Sequence, residues 1–273
     1  MTGVQGAVVL FEIDLMLLFS LLLGVLFSSG EAGRLLGKRV STRLNEPAKA
    51  QIAVVQGALL GLLALLMGFT FAMAMSRFDA RKDLVVDEAN AIGTAYLRAQ
   101  ILPEPERSEA QQLFRAYVND RVQSSTTLLD DPTQEVMLAE ADRLFEGIWR
   151  LAMSTVERDI HADAISSFVE SLNEMNDLRA KRIAALENHV PESALYLLII
   201  VATLSTAFVG YGFGISHFRG RVTLITVCLV TTLVVTVILD MDRPRRGIIR
   251  VSQKSLLELQ HQINGVKPAA SPR

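Results

Sequence analysis

The residues with the best-known catalytic chemistry are few and scattered along the chain. Two pairs of carboxylates, Asp87 with Glu88 and Glu187 with Glu192, are close enough in sequence for acid–base work. The histidines show no second ligand at metal-binding spacing: His161, His189, His217 and His261. The sequence has no Walker loop, zincin motif, nucleophile elbow or kinase signature. We therefore interpret the carboxylates as helix-surface charges and the histidines as surface or interface residues, and we expect no enzymatic activity, cofactor or metal.

A different chemistry, the passage of ions, is suggested by one apolar segment at residues 52–75. On a helix of 3.6 residues per turn, one stripe of this segment carries Gly61, Leu65, Phe69, Ala72 and Ser76. Three glycines allow a close approach of another backbone: Gly57, Gly61 and Gly68. An apolar constriction of this kind can gate a pore because it excludes water. Ordinary helix packing and contact with lipid remain alternative interpretations.

Four apolar runs approach the roughly 20 residues that a helix needs to cross a bilayer. They cover about 15–29, 52–75, 193–215 and 222–239, and the first lengthens toward Ala7 if Glu12 and Asp14 lie at the interface. A signal peptide is disfavoured for the first run because no Lys or Arg precedes it. The only cysteine, Cys228, lies in the fourth run, which excludes an intramolecular disulfide and predicts a small buried apolar residue.

The region between the second and third runs has the apolar spacing of helices throughout. The second helix should continue beyond the membrane until Pro103 and Pro105. Ser108 with Gln111 resembles a capping box, and Asp131-Pro132 marks a further helix start. Long amphipathic stretches follow at about 135–188 and 248–263, and the polar tail after Gly265 is expected to be disordered.

These elements together predict an all-α membrane protein with four transmembrane helices and a helical soluble insert between the second and third. The boundaries are 1–75 for the first transmembrane pair, 76–190 for the insert, 191–240 for the second pair and 241–273 for an amphipathic tail. The formal net charge of −2 excludes the basic footprint of a nucleic-acid binder. Four spans place both termini and the insert on one side of the membrane, but the charge bias does not identify that side.

Two arginines follow the second span at adjacent helical turns. We predict that Arg77 and Arg81 contact carboxylates of the insert or of the pair Asp240 and Asp242. Interfacial anchoring of the two arginines is the alternative.

The sequence around these arginines resembles the stretch by which bestrophins are known. It has Gly68-Phe69, then seven residues, then Arg77-Phe78-x-Ala80-Arg81. It departs from the usual bestrophin pattern at 70–72, where it reads Thr-Phe-Ala, and at Asp79. The segments at 86–98 and 240–253 are similar to a bacterial family described as bestrophin-like and otherwise uncharacterised, and that similarity covers nearly the whole chain.

The resemblance implies a pentameric ion channel whose second helix lines a narrow apolar neck. Leu65 and Phe69 would correspond to neck positions and Gly61 to a third, where glycine makes the neck shorter or wider. Ala72 and Ser76 would line the pore or vestibule. The resemblance further implies a bacterial inner-membrane, multi-pass homo-oligomer with cytosolic termini and insert, in contact with lipid and inorganic ions. Basic residues at the membrane ends of the insert slightly favour anions. A membrane-anchored helical sensor or scaffold without a pore is the alternative function.

Overall fold

The computed structural model describes residues 13–126, 133–156, 162–216, 220–243 and 247–265. Within these ranges the chain is helical and contains no strand. The α-helices are α1 (Leu15–Val40), α2 (Glu46–Ala99), α3 (Glu106–Thr126), α4 (Thr133–Val156), α5 (Ala162–Glu187), α6 (Glu192–Ile215), α7 (Arg221–Met241) and α8 (Lys254–Ile263), with a 3₁₀ turn at Ser41–Arg43. The predicted all-α class is therefore confirmed.

The described helices form two compact units. Unit 1 comprises Met1–Arg77, His189–Arg243 and Gly247–Ile249, and unit 2 comprises Phe78–Asn188, Pro244–Arg246 and Arg250–Arg273. The placement of an insert in water stays a prediction.

Four regions of the described chain contain helices long and apolar enough to cross a membrane. They lie in Leu15–Arg43, Glu46–Ala99, Ile165–Ile215 and Arg221–Met241, so the predicted number of spans is confirmed. The Asp14 carboxylate begins α1, because its Oδ1 accepts hydrogen bonds from the main-chain N–H groups of Met16 and Leu17 at 2.9 and 3.1 Å. The extension toward Ala7 and Glu12 lies outside the described residues.

In unit 1, helices α1 and α6 pack through glycines on both sides. The α1 glycines are Gly30, Gly33 and Gly37, and the α6 glycines are Gly210 and Gly214. A Cβ atom at Gly33 would collide with the carbonyl oxygen of Ala207, and one at Gly37 with that of Tyr211. Because these neighbours are backbone atoms, only glycine allows the two helices to approach so closely.

Unit 2 has its own apolar core, built from the second half of α2 and from α3, α4, α5 and α8. Its largest side chains include Phe114, Tyr117, Ile148, Phe168, Leu172 and Met175. The rings of Tyr96 and Phe114 meet edge to face at 5.9 Å between centroids, an arrangement that aromatic pairs prefer. The main-chain oxygen of Ser167 on α5 accepts a 2.6 Å hydrogen bond from Arg98 on α2.

Several predicted boundaries in unit 2 differ from the structure. The proposed capping box is wrong, because α3 begins at Glu106 and Ser108 donates to Glu104 Oε2 from both its N–H and its hydroxyl. The amphipathic stretch at 135–188 contains two helices, α4 and α5, and that at 248–263 is helical only from Lys254. Three sequence interpretations concern positions outside the described residues: Asp131-Pro132, the histidines at 161 and 217, and the tail after Gly265.

Candidate functional site

Helix α2 has one buried face and one exposed face in its membrane-spanning part. The buried face carries Leu63, Thr70 and Ala74, which are at most 3% exposed. At 3.6 residues per turn, the predicted neck stripe lies on the opposite side of the helix. All of its members are exposed: Gly61, Leu65, Phe69, Ala72 and Ser76. Leu65 is 55% exposed and Phe69 is 60% exposed, so the single chain leaves the bulkiest apolar part of the stripe without cover.

Three glycines in the membrane-spanning part of α2 differ from the glycines at the contact of α1 and α6 in having no close neighbour. Among the described residues, no atom lies within 4 Å of a Cβ built at Gly57, Gly61 or Gly68. The chain itself therefore does not use the close approach that these glycines allow. Their role as neck or packing positions stays a prediction.

Beyond the apolar stripe, the same helical spacing brings carboxylates to the surface of α2. Asp79, Asp83 and Asp87 follow Ser76 at intervals of three, four and four residues, and each is exposed. Because α2 is one continuous helix from Glu46 to Ala99, these intervals continue the face that carries Ser76.

The two arginines after the second span make main-chain contacts. Arg77 Nη1 donates to the carbonyl oxygen of Met73 at 3.4 Å. Arg81 is 3% exposed and donates to the carbonyl oxygens of Ala185 at 3.0 Å and Asn188 at 2.8 Å. These carbonyls lie at the C-terminal end of α5, where the helix dipole and the free carbonyls favour a cation. The pairing of either arginine with a carboxylate stays a prediction.

The two aspartates at the end of α7 accept hydrogen bonds from main-chain N–H groups. Asp240 accepts from Ile248 at 2.9 Å and from Ile249 at 2.8 Å, and both distances lie in the normal range. A Cβ atom at Gly247 would lie 2.5 Å from Asp240 Oδ1, so glycine is required there for the chain to fold back over the carboxylate.

Asp242 is fully buried and its Oδ2 accepts from the N–H of Val190 at 2.8 Å. The Nδ1 atom of His189 lies 3.5 Å from the same oxygen. Both aspartates therefore join the end of α7 to neighbouring backbone segments in unit 1 through hydrogen bonds.

The interpretation of Glu88 as a helix-surface charge is wrong. Glu88 is fully buried in unit 2, where Arg121 Nε and Nη2 donate to its Oε1 at 3.0 and 2.6 Å, and Arg182 pairs with its Oε2. Arg182 Nη2 also donates to Gln253 Oε1 at 2.9 Å. The carboxylate thus joins α2 to α3 and α5. Its helical spacing with the apolar residues Val85 and Ile92 places Glu88 on the buried face of α2 in unit 2, and this spacing could have indicated its burial.

Two members of this cluster, Glu88 and Arg121, have shifted pKa values. Burial raises the pKa of Glu88, but the guanidinium groups of Arg121 and Arg182 outweigh this and hold it below its ordinary value. Burial likewise lowers the pKa of Arg121, and the Glu88 carboxylate outweighs it and raises the value. Burial raises the pKa of Tyr117 to about 12. The cluster is therefore a fully charged structural contact at neutral pH.

No group of three or more His, Cys, Asp or Glu side chains that could hold a metal ion occurs within the described ranges. His261 is exposed and Cys228 is buried, as expected. All four candidate spanning helices expose apolar side chains. The exposed face of α2 differs in that it also carries three glycines with no atom within 4 Å of their Cβ positions among the described residues.

The four long apolar helices define the chain as a helical membrane protein. The family model of the bestrophin-like domain matches residues 24–256. The chain therefore belongs to the bestrophin-like family. No curated protein matches the chain.

Solved structures have the same fold at low sequence identity. A bacterial bestrophin homologue from Klebsiella pneumoniae is 13% identical, with a TM-score of 0.64 over 93% of this chain and 100% of that one. A single-substitution variant of the Klebsiella homologue is 12% identical, with a TM-score of 0.65 over 93% and 99%. A membrane protein carrying one substitution is 13% identical, with a TM-score of 0.66 over 92% and 97%.

Proposed function

We propose that this chain is a subunit of an oligomeric ion channel whose pore is lined by the exposed face of α2. The observation that carries the proposal is the exposure of Leu65 and Phe69 opposite the buried Leu63 and Ala74. Several copies arranged around an axis, five if the arrangement follows that of bestrophins, would turn this face into an apolar ring. Such a ring blocks ions while it is dry and conducts when water enters it.

The open glycines support assembly over simple contact with lipid. Gly57, Gly61 and Gly68 contribute no side chain to an apolar lipid-facing surface, and a glycine in a helix interior costs about 0.5–1 kcal/mol relative to alanine. At Gly57 and Gly68, a second helix that approaches closely would compensate this cost through packing. At Gly61 the missing side chain would also widen the pore next to Leu65 and Phe69.

Cations are the ion class that the charges on α2 favour. The expected preference for anions rested on basic residues at the membrane ends of the insert. Of these, Arg81, Arg179 and Arg182 are each at most 7% exposed, and Lys82 and Lys181 are exposed but lie outside the neck stripe. Arg179 pairs with Asp142, and Arg182 pairs with Glu88. The exposed charges that continue the neck stripe are instead carboxylates: Asp79, Asp83 and Asp87. Rings of carboxylates along a pore concentrate cations and repel anions.

We place unit 2 and both termini in the cytosol of a bacterial cell, with unit 1 in the inner membrane. The resemblance to bestrophins supports this topology. A reporter that is active only in the periplasm should remain silent when fused after Pro103. Activity at that position would overturn the topology.

The pore proposal is tested by the access of water to the middle of α2. The native Cys228 is buried, so a water-soluble thiol reagent should react only with cysteines introduced at other positions. Gly61→Cys lies near the middle of the second span and should react with a charged, water-soluble thiol reagent. Leu229→Cys, at an exposed position near the middle of α7, is the matched control and should stay unreactive if it faces lipid. Equal protection of both cysteines in folded, oligomeric protein would contradict a pore along α2.

A further inference from the structure

Unit 2 contains a groove between α4 and α5 that the pore proposal does not use. Its volume is about 400 Å³, within the range of small-molecule sites. The lining side chains come from one face of each helix: Phe145, Glu146, Trp149 and Arg150 on α4, and Asn173 and Asn176 on α5.

The apolar part of the groove is an aromatic platform on α4. The rings of Phe145 and Trp149 stack with 6.3 Å between centroids and 28° between planes. Both side chains are half-buried, so each keeps part of its surface open to an occupant. A flat apolar or aromatic group could stack on these rings and gain from that contact beyond its burial.

The polar part of the groove contains one charge of each sign. Glu146 and Arg150 are exposed, and Arg150 Nε donates to the main-chain oxygen of Glu146 at 3.4 Å, which holds the guanidinium over the same helical turn. In the part of the chain that the structure describes, neither residue takes part in an ion pair within 4 Å. On the α5 side of the groove, the exposed amides of Asn173 and Asn176 can donate and accept hydrogen bonds.

We propose that this groove binds a free amino acid with an apolar or aromatic side chain. The ammonium group would meet Glu146, the carboxylate would meet Arg150, and the side chain would lie on Phe145 and Trp149. A ligand of a single charge would leave one of the two groove charges facing a like charge. An apolar ligand would displace water from Glu146 and Arg150 and would offer them no hydrogen bonds or opposite charge in its place. A zwitterion matches both signs at once, and the amides of α5 supply its remaining hydrogen bonds.

Trp149 allows a direct test because it is the only tryptophan in the chain. L-phenylalanine should change the emission of Trp149 saturably in the full-length protein in detergent. Two matched probes each lack one charge of the ligand: phenethylamine has no carboxylate, and 3-phenylpropanoate has no ammonium. Each should bind about fivefold more weakly, as expected for the loss of one partly solvated ion pair worth ~1 kcal/mol. Calorimetry provides the same comparison without the fluorophore.

Two neutral variants assign the charges. Arg150→Gln should weaken L-phenylalanine binding about fivefold without weakening that of phenethylamine, whose ammonium then no longer faces a like charge. Glu146→Gln should weaken L-phenylalanine binding to a similar extent without weakening that of 3-phenylpropanoate. Both positions are exposed, so both variants should fold. An absent or non-saturable response to L-phenylalanine, or equal binding of the three probes, would overturn the proposal. Emission that depends on protein concentration and not on L-phenylalanine would assign the groove to contact between copies and would also overturn it.

Discussion

Two sets of glycines in unit 1 differ in what surrounds them. The α1 and α6 set lies against backbone atoms, so that a Cβ at Gly33 or Gly210 has no room. The α2 set, Gly57, Gly61 and Gly68, has no neighbour within 4 Å among the described residues. The first set explains how one chain folds. The second set has no such explanation among the described residues, and the channel proposal would explain it by contact between copies at Gly57 and Gly68 and by the width of the pore at Gly61.

The charges of α2 show the same contrast at two adjacent residues. Glu88 is buried between Arg121 and Arg182, whereas Asp87 is exposed. One carboxylate joins helices within the fold, and the other is open to solvent. The contrast predicts that changes on the inner face of α2 affect stability and that changes on its outer face affect conduction.

The largest expected effect on stability is that of Glu88→Gln. This change leaves two buried guanidinium groups without their counter-charge, which typically costs 3–5 kcal/mol. Asp87→Asn is the matched control at the neighbouring, exposed position and should stay within about 0.5 kcal/mol of the wild type. Denaturant unfolding followed by circular dichroism measures both. Equal stability of the two variants would show that the inner and outer faces do not differ.

The pH dependence of stability sharpens the same contrast. Because the folded pKa of Glu88 lies below its unfolded value of about 4.3, its contribution to stability is complete above pH ~4.3 and is lost as pH falls toward the folded pKa. Unfolding measured below pH ~4.3 should therefore show a steeper loss of stability in the wild type than in Glu88→Gln. Parallel pH profiles would contradict the role given to Glu88.

A smaller loss of stability is expected from Gly33→Leu. The added side chain meets the backbone of α6, which cannot move aside, so overpacking should cost about 1–3 kcal/mol or more. Gly24→Leu is the control on the same helix, because no atom lies within 4 Å of its Cβ position among the described residues. Thermal unfolding and the yield of monodisperse protein in detergent distinguish the two. Tolerance of leucine at Gly33 would contradict the close contact of α1 and α6.

The smallest effect on stability is expected from replacing Asp79, Asp83 and Asp87 together by Asn. Because all three are exposed, each replacement should change stability by less than about 0.5 kcal/mol. In a salt gradient, the reversal potential of the channel should shift from the cation potential toward zero. An unchanged reversal potential, with currents present, would remove these carboxylates from the conduction path.

The sequence predicted the elements of this fold better than the partners of its polar residues. Apolar run length identified the four spans, and helical spacing identified the exposed stripe of α2 with Leu65 and Phe69. The burial of Glu88 was missed because its arginine partners lie 33 and 94 residues away, and no local pattern connects them. The hydrogen bonds that Asp240 and Asp242 accept likewise come from chain segments that only the fold brings to α7.

The central claim, that Leu65 and Phe69 form a pore neck, is tested most directly by ion flux into liposomes. Truncating both residues, Leu65→Ala with Phe69→Ala, should raise the flux of folded, oligomeric protein above that of the wild type, because a wider and less apolar neck admits water. The exposure of both side chains in the single chain predicts that the double variant still folds. An absence of flux in both proteins, each shown to be folded and oligomeric, would contradict the channel and leave a membrane-anchored scaffold as the function.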